Sequence, residues 1–176
     1  MEPGFSFSPT VHPKGLEGTN HPFQQSTFSP VYQNIEQQLS VEIANAPGEI
    51  ARISDLLSSN GVNANAMSVA DGVYRGYFRF LTDKVEEAKS VLISNGLEVE
   101  CERVISVKLD DQKGQVAKIT SALARANINI DYFYASVDRS DSATRLIMKV
   151  ENVVLATSVL DEISDVPVGP PELSLA

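Results

Sequence analysis

The chain has 176 residues, 43% of them hydrophobic, with 23 acidic against 14 basic side chains, a formal net charge of −9 and a pI near 4.7. That length can bury one sizeable core or two small ones, and an acidic surface is repelled by phosphate, which argues against nucleic acid or an anionic membrane as partner. A single cysteine, Cys101, excludes an internal disulfide framework, and no apolar run approaches the roughly 18–20 residues of a membrane span.

The opening Met1-Glu2-Pro3-Gly4 is acidic and proline-bearing where a signal peptide needs basic residues and then an apolar run, so a cytoplasmic protein is expected. Residues 1–37 carry Pro3, Pro9, Pro13, Pro22 and Pro30 among Gly, Ser, Thr and Gln, with Phe5, Phe7, Phe23 and Phe28 scattered between. Without a helical or strand period the stretch cannot easily offset its ordering entropy, and it reads as a disordered leader. A docking tail and an artefactual upstream extension are the alternatives.

Leu39, Val41 and Ile43 then alternate with polar residues, the period-2 pattern of a half-buried strand. A turn, Ala46-Pro47-Gly48-Glu49, leads into Ile50, Ile53 and Leu57, whose spacing puts one apolar stripe on a helix. Gly61 tolerates the left-handed conformation that ends a helix, and a strand over 62–69 follows. Asp71-Gly72 is a strong hairpin dipeptide; Phe78 and Phe80 mark the next strand, and Val85, Ala88, Val91 and Leu92 a second helix. A closing strand is expected over 97–102, where flanking Glu100 and Glu102 would raise the Cys101 thiol pKa and make it strand filler.

The same order then recurs. Ile105, Val107 and Leu109 answer Leu39, Val41 and Ile43 at an offset of 66 residues; Val116, Ile119 and Leu123 answer the helix stripe, and Asn127 answers Gly61. A strand over 128–137 and a turn near Asp138–Asp141 follow, after which the offset becomes 68. Leu146 and Met148 then answer Phe78 and Phe80, while Val153, Ala156, Val159 and Leu160 repeat the second helix. This tandem repeat predicts an α+β chain of two ferredoxin-like βαββαβ domains, antiparallel sheets with helices on one face. The expected division is a leader 1–37, domains 38–102 and 103–165, and a tail 166–176. No linker separates the domains, so they share or abut their sheets. The second copy lacks a clear closing strand: Pro167, Pro170 and Pro171 interrupt the tail, leaving Glu172–Ala176 or nothing.

The topology hosts many functions, so the site must decide. A metal carrier would want a Cys-x-x-Cys in the first loop, which one cysteine cannot make; no metal site and no cofactor are expected. An RNA reader stacks bases on strand aromatics. Tyr132-Phe133-Tyr134 offers rings, but neighbours point to opposite faces, and Ala66-Met67-Ser68 stands in the first copy. Nucleophilic catalysis lacks its base, since His12 and His21 lie in the leader, and no phosphate loop appears.

The run Leu39-Ser-Val-Glu-Ile-Ala-Asn-Ala-Pro-Gly-Glu-Ile through Gly61-Val-Asn resembles the opening of an ACT domain, and Leu109 through Asn127-Ile-Asn-Ile keeps the frame. The resemblance covers roughly residues 38–163. It implies a free-standing pair of ACT domains that binds an amino acid without catalysis. Glycine before a helix lets a ligand approach backbone amides that have no intrahelical partner, and such an N-terminus attracts a carboxylate. The candidate donors are Gly48, Glu49 and Ile50 after Pro47 in copy one, and Gly114, Gln115 and Val116 in copy two. The resemblance carries ligand-holding asparagines onto Asn45 and Asn63, which two loop ends meeting at one edge of the fold would bring together. Asp111 and Asn129 are their counterparts. A family histidine two residues before the first asparagine is replaced by Ile43, and Asp111 with Lys113 replaces the Asn and Pro of copy one, so the two sites are not equivalent. The same residues also serve as Asx turns and caps. The expected partners are a small amino-acid ligand and a second copy in a homodimer. An assembly module without a ligand is the principal alternative, an RNA-binding module or an enzyme the weaker ones.

Overall fold

A computed structural model describes residues 33–109, 113–137 and 143–164. Among the described residues the alternating runs form six strands and the 3.6-period stripes four helices. In chain order these are β1 (Gln33–Ala44), α1 (Glu49–Ser59), β2 (Ala66–Ala70), β3 (Arg75–Leu81), α2 (Val85–Ser94), β4 (Val99–Leu109), α3 (Gln115–Arg125), β5 (Ile130–Val137), β6 (Thr144–Val150) and α4 (Val153–Ser164). Both expected left-handed stops occur, Gly61 at φ 67° and Asn127 at φ 55°. At each, the next residue's amide (Val62, Ile128) reaches back to Leu57 or Leu123 at 2.9 Å, closing the helix end. The strands begin later than the sequence suggests, at Ala66 and Ile130, because the residues after each stop first bury Val62 and Ile128 under the helix.

The two repeats form one antiparallel sheet in the order β2-β3-β1-β4-β6-β5. Its register preserves the repeat: Gln37 pairs with Arg103, its own counterpart 66 positions on, so a pseudo-two-fold axis passes between them. The ladder continues from Gln33↔Val107 to Val41↔Val99. The first half of β4 closes unit one and its second half opens unit two. The first half of β1, Gln33–Gln38, closes unit two. This corrects two expectations. The second copy has its closing strand, supplied from before the first copy rather than from the tail, and residues 33–37, read as leader, are strand. Both domain boundaries therefore fall at or inside shared strands. Residues 1–32, the Asp138–Asp141 turn and the tail from 166 lie outside the described residues.

Odd residues of β1 and β4 face the helices. Leu39, Val41, Ile43, Phe78 and Phe80 pack with Ile53, Leu57, Ala88 and Leu92 in one core; Ile105, Val107, Leu146 and Met148 pack with Ile119, Leu123, Ala156 and Leu160 in the other. Even residues of β1 and β4 and odd residues of β3 and β6 face away from the helices, yet Gln38, Val104, Leu81 and Ile147 there are almost fully buried. The edge strands β2 and β5 approach each other, with Cα atoms within 8 Å, so the sheet curls and encloses this second face. Ala66, Leu81, Val104 and Ile147 form its centre, with Tyr134 against them. No helix among the described residues is long and apolar enough to cross a membrane, and Cys101 is exposed on β4.

Candidate functional site

Helices α1 and α3 start alike. Gly48 (φ 94°) and Gly114 (φ 88°) are their left-handed N-caps; among the described residues neither helix has a side-chain cap, and a Cβ built at either glycine meets nothing within 4 Å. The turn demands glycine for its φ, and the space where a side chain at either glycine would begin is open. The Glu49 amide reaches the Ala46 carbonyl at 3.4 Å, whereas the amides of Gly48 and Ile50 have no partner among the described residues. The amides of Gly114, Gln115 and Val116 have no partner among the described residues. By contrast α4 is capped, the Leu155 amide donating to Asn152 Oδ1 at 3.0 Å. Pro47 is exposed before the turn, and Ile50 and Val116 hold apolar side chains 43% and 37% exposed beside the uncapped amides. Glu49 is held by Arg52 at 2.9 Å along the helix.

The asparagines do not converge. Asn45 follows β1 and binds the opposite hairpin, its Nδ2 donating to the Gly72 carbonyl at 2.9 Å and its amide to Tyr74 at 3.0 Å. Asn63 precedes β2, which runs parallel to β1, so it lies at the other end of the sheet, where its Nδ2 donates to Asn65 Oδ1 at 2.9 Å. The 11-residue α1 separates the two, about 16 Å at 1.5 Å per residue. The expectation that these loop ends meet at one edge is corrected: the βαβ crossover carries them to opposite ends, so one small ligand within one chain cannot touch both. Both asparagines are exposed.

In unit two Asn129 repeats the arrangement, donating to Asp131 at 3.0 Å. Asp111 lies outside the described residues. Gln115 keeps a buried Oε1 without a hydrogen-bond partner. Asn129 also lines a cleft of about 490 Å³ with Arg103, Asn127, Glu151 and Asn152. The sequence marked Asn127 as a helix stop and missed the other three; Arg103 could have been found as the residue facing its own repeat partner Gln37.

The enclosed face holds a polar network spanning both repeats, which the sequence reading also missed. Gln38 Nε2 donates to the Tyr132 hydroxyl, and the Tyr134 hydroxyl donates to Gln38 Oε1 at 3.0 Å. Tyr132 donates to Glu102 at 3.1 Å; Lys149 and Ser40 reach the same carboxylate at 2.7 and 3.3 Å. Burial pushes the Glu102 pKa up, but the hydrogen bond and charge of Lys149, with the hydrogen bonds of Tyr132 and Ser40, outweigh it and hold the carboxyl below its usual range. Burial raises both tyrosine pKa values. The signal was present as a mismatch: Ala66 and Ser68 in copy one stand where copy two has Tyr132 and Tyr134, so large rings of one unit fill the space left by small residues of the other. Phe133, between them, is 51% exposed on the opposite surface. Among the described residues no group of His, Cys, Asp or Glu is placed to hold a metal ion.

The sequence matches the family described as "ACT domain pair" over residues 34–163, and the chain belongs to that family. A comparison with curated proteins gives no match. Among solved structures the fold is similar to protein BT0572 from Bacteroides thetaiotaomicron (21% identity, 77% of this chain and 91% of that one, TM-score 0.67). It is also similar to the ligand-free regulatory subunit of aspartate kinase from Thermus thermophilus (19% identity, 77% and 97%, TM-score 0.58). A third, aspartate kinase from Clostridium acetobutylicum, shares 17% identity over 84% of this chain and 36% of that one, with TM-score 0.55.

Proposed function

We infer that this chain is a non-catalytic amino-acid sensor, binding the ligand's carboxylate at the N-termini of α1 and α3. The observation that supports the reading is the matched pair of left-handed glycine caps, Gly48 and Gly114, each open where a Cβ would sit, with helix-start amides such as Ile50 and Val116 unpartnered among the described residues. The helix dipole adds to those donors, making a carboxylate the favoured group. Unit one is the better site, since it keeps Asn45 and Pro47. That the similar structures include the regulatory subunit of aspartate kinase is in keeping with the reading.

Asn63, at the far end of α1, is available to a ligand's ammonium only from a second copy. The sensor is therefore a homodimer in which the Gly48 loop of one chain meets the Asn63 loop of the other. Ile50 and Val116, exposed beside the amides, give that contact its apolar part. Ligand that bridges two chains favours one arrangement over another, which is the basis of regulation. A ligand with few heavy atoms gains at most about 1.5 kcal/mol per atom, so micromolar affinity is expected. Such a protein works in the cytoplasm, where metabolite levels are read.

Calorimetry against the twenty amino acids tests this. Saturable binding by at least one, weakened in Asn63→Ala and Gly48→Ala, is expected. Sub-millimolar binding by none would leave the chain an assembly module without a ligand.

A further inference from the structure

Arg79 is a charged side chain of the enclosed face on which the sensor reading places no role. Its guanidinium lies over two rings, 4.3 Å from the centroid of Tyr132 and 4.8 Å from that of Tyr77. Its Nε is fully enclosed without an acceptor, and the side chain makes no hydrogen bond or ion pair with any described residue. The neighbouring cations are matched: Arg75 with Glu42, Lys149 with Glu102, Arg145 with Glu36. Arg79 alone of this group is half-buried and unmatched, and ring faces attract the charge while leaving its N–H donors unmet.

The register adds hydroxyls. Ser40 on β1 and Ser68 on β2 stand directly opposite Arg79 on either side, all three pointing to the same face. Ser40 is buried and spends its hydroxyl on Glu102 at 3.3 Å. Ser68 has no hydrogen bond among the described residues and is half-buried. Tyr77, 40% exposed, marks the solvent side of this group. The repeat shows that the arrangement is particular to unit one: the equivalent of Arg79 in copy two is Ile147, flanked by Ser106 and Tyr134. Carboxylates border the place as well. Glu102 and Glu42 are paired, while Glu100, exposed beside Ser40, repels an anion and limits charge.

We propose that Arg79, set over the rings of Tyr77 and Tyr132 and flanked by Ser68, is a second ligand site, taking the carboxylate of a small organic acid. A planar guanidinium matches a carboxylate two bonds to two, and a singly charged planar group suits a locality with three glutamates better than a dianionic phosphate does. The site lies on the face opposite the helix starts and does not depend on them.

The test follows the Arg79 Nε–Hε resonance of the full ¹⁵N-labelled chain, assigned by its loss in Arg79→Met. Sodium acetate is titrated against sodium chloride at matched ionic strength, with inorganic phosphate as a separate arm. A saturable shift with acetate is expected, and the Tyr77 and Tyr132 ring signals should report the same curve. The ring signals of Arg79→Met should show binding at least about tenfold weaker, as loss of a charged hydrogen-bond pair implies. Gly48→Ala should leave the titration unchanged, which separates this site from the helix-start site. A response no different from chloride overturns the site, as does the same ring response in Arg79→Met. Tighter binding of phosphate than of acetate overturns the carboxylate assignment. A lower melting temperature for Arg79→Met, with no saturable shift in the wild type, makes Arg79 a structural clamp and refutes the proposal.

Discussion

Replacing Gln38 by methionine keeps the volume of a fully buried side chain and removes its amide. The Tyr134 hydroxyl then loses the acceptor 3.0 Å away, while the Tyr132 hydroxyl keeps Glu102 at 3.1 Å. One buried donor is left unmet, which costs about 1–3 kcal/mol. Tyr134→Phe leaves the Gln38 carbonyl oxygen without its donor at a similar cost. In the double variant both partners are apolar, and the remaining loss is that of the Gln38–Tyr132 bond, about 0.5–1.5 kcal/mol. The cycle should therefore close with a coupling of about 1 kcal/mol or more. Urea unfolding with unchanged slope is the assay. Additive losses would show that the curled face is not an interior shared by the two repeats, and the account of the sheet would fail with them.

Gly48→Ala and Gly114→Ala should each cost about 1–2 kcal/mol for a Cβ at positive φ, with no steric addition because the space is open, and thermal melts should show equal drops. Their effects on ligand should differ, that at Gly48 being the larger. Glu102 has its folded pKa held low, so its contribution to stability is present above its unfolded value, about 4.3, and is lost as pH falls through the folded value. Glu102→Gln should flatten the acid limb of a stability–pH profile below about pH 4.3; an unchanged limb would remove Glu102 from the linkage. The fragment 38–102 contains all four strands of unit one, whereas 103–164 lacks the β1 half that closes unit two. Circular dichroism should find the second fragment the less structured, and equal folding would contradict the strand exchange.

The hydrophobic period carried most of this fold because side chains facing the helices repeat copy for copy: Leu39 with Ile105, Phe80 with Met148, Ala88 with Ala156. The closing strand of unit two was not legible, since Gln33-Asn-Ile-Glu-Gln-Gln is polar and alternates weakly. It pairs through its backbone along one edge of β4, and of its side chains only that of Gln38 is buried. The enclosed face was hidden for a related reason. Gln38, Ser40 and Ser106 look like solvent-facing positions of a half-buried strand, and only curling of the sheet, a long-range property, buries them. At the site, Pro47-Gly48 and Gly114 showed where helices start on left-handed glycine, because the chemistry is local. That Asn45 and Asn63 lie at opposite ends follows from chain direction through α1, which residue spacing does not reveal.

The shared site can be tested by complementation. Gly48→Ala and Asn63→Ala chains, each impaired in binding alone, are unfolded together, refolded and titrated with the amino acid the wild type binds. Random pairing across a two-fold interface leaves one intact Gly48–Asn63 site in each mixed dimer, so roughly a quarter of the wild-type capacity of the Gly48–Asn63 sites should return at wild-type affinity. A mixture that binds no better than its two components would show that the ligand is held within a single chain, and the homodimeric sensor would be wrong.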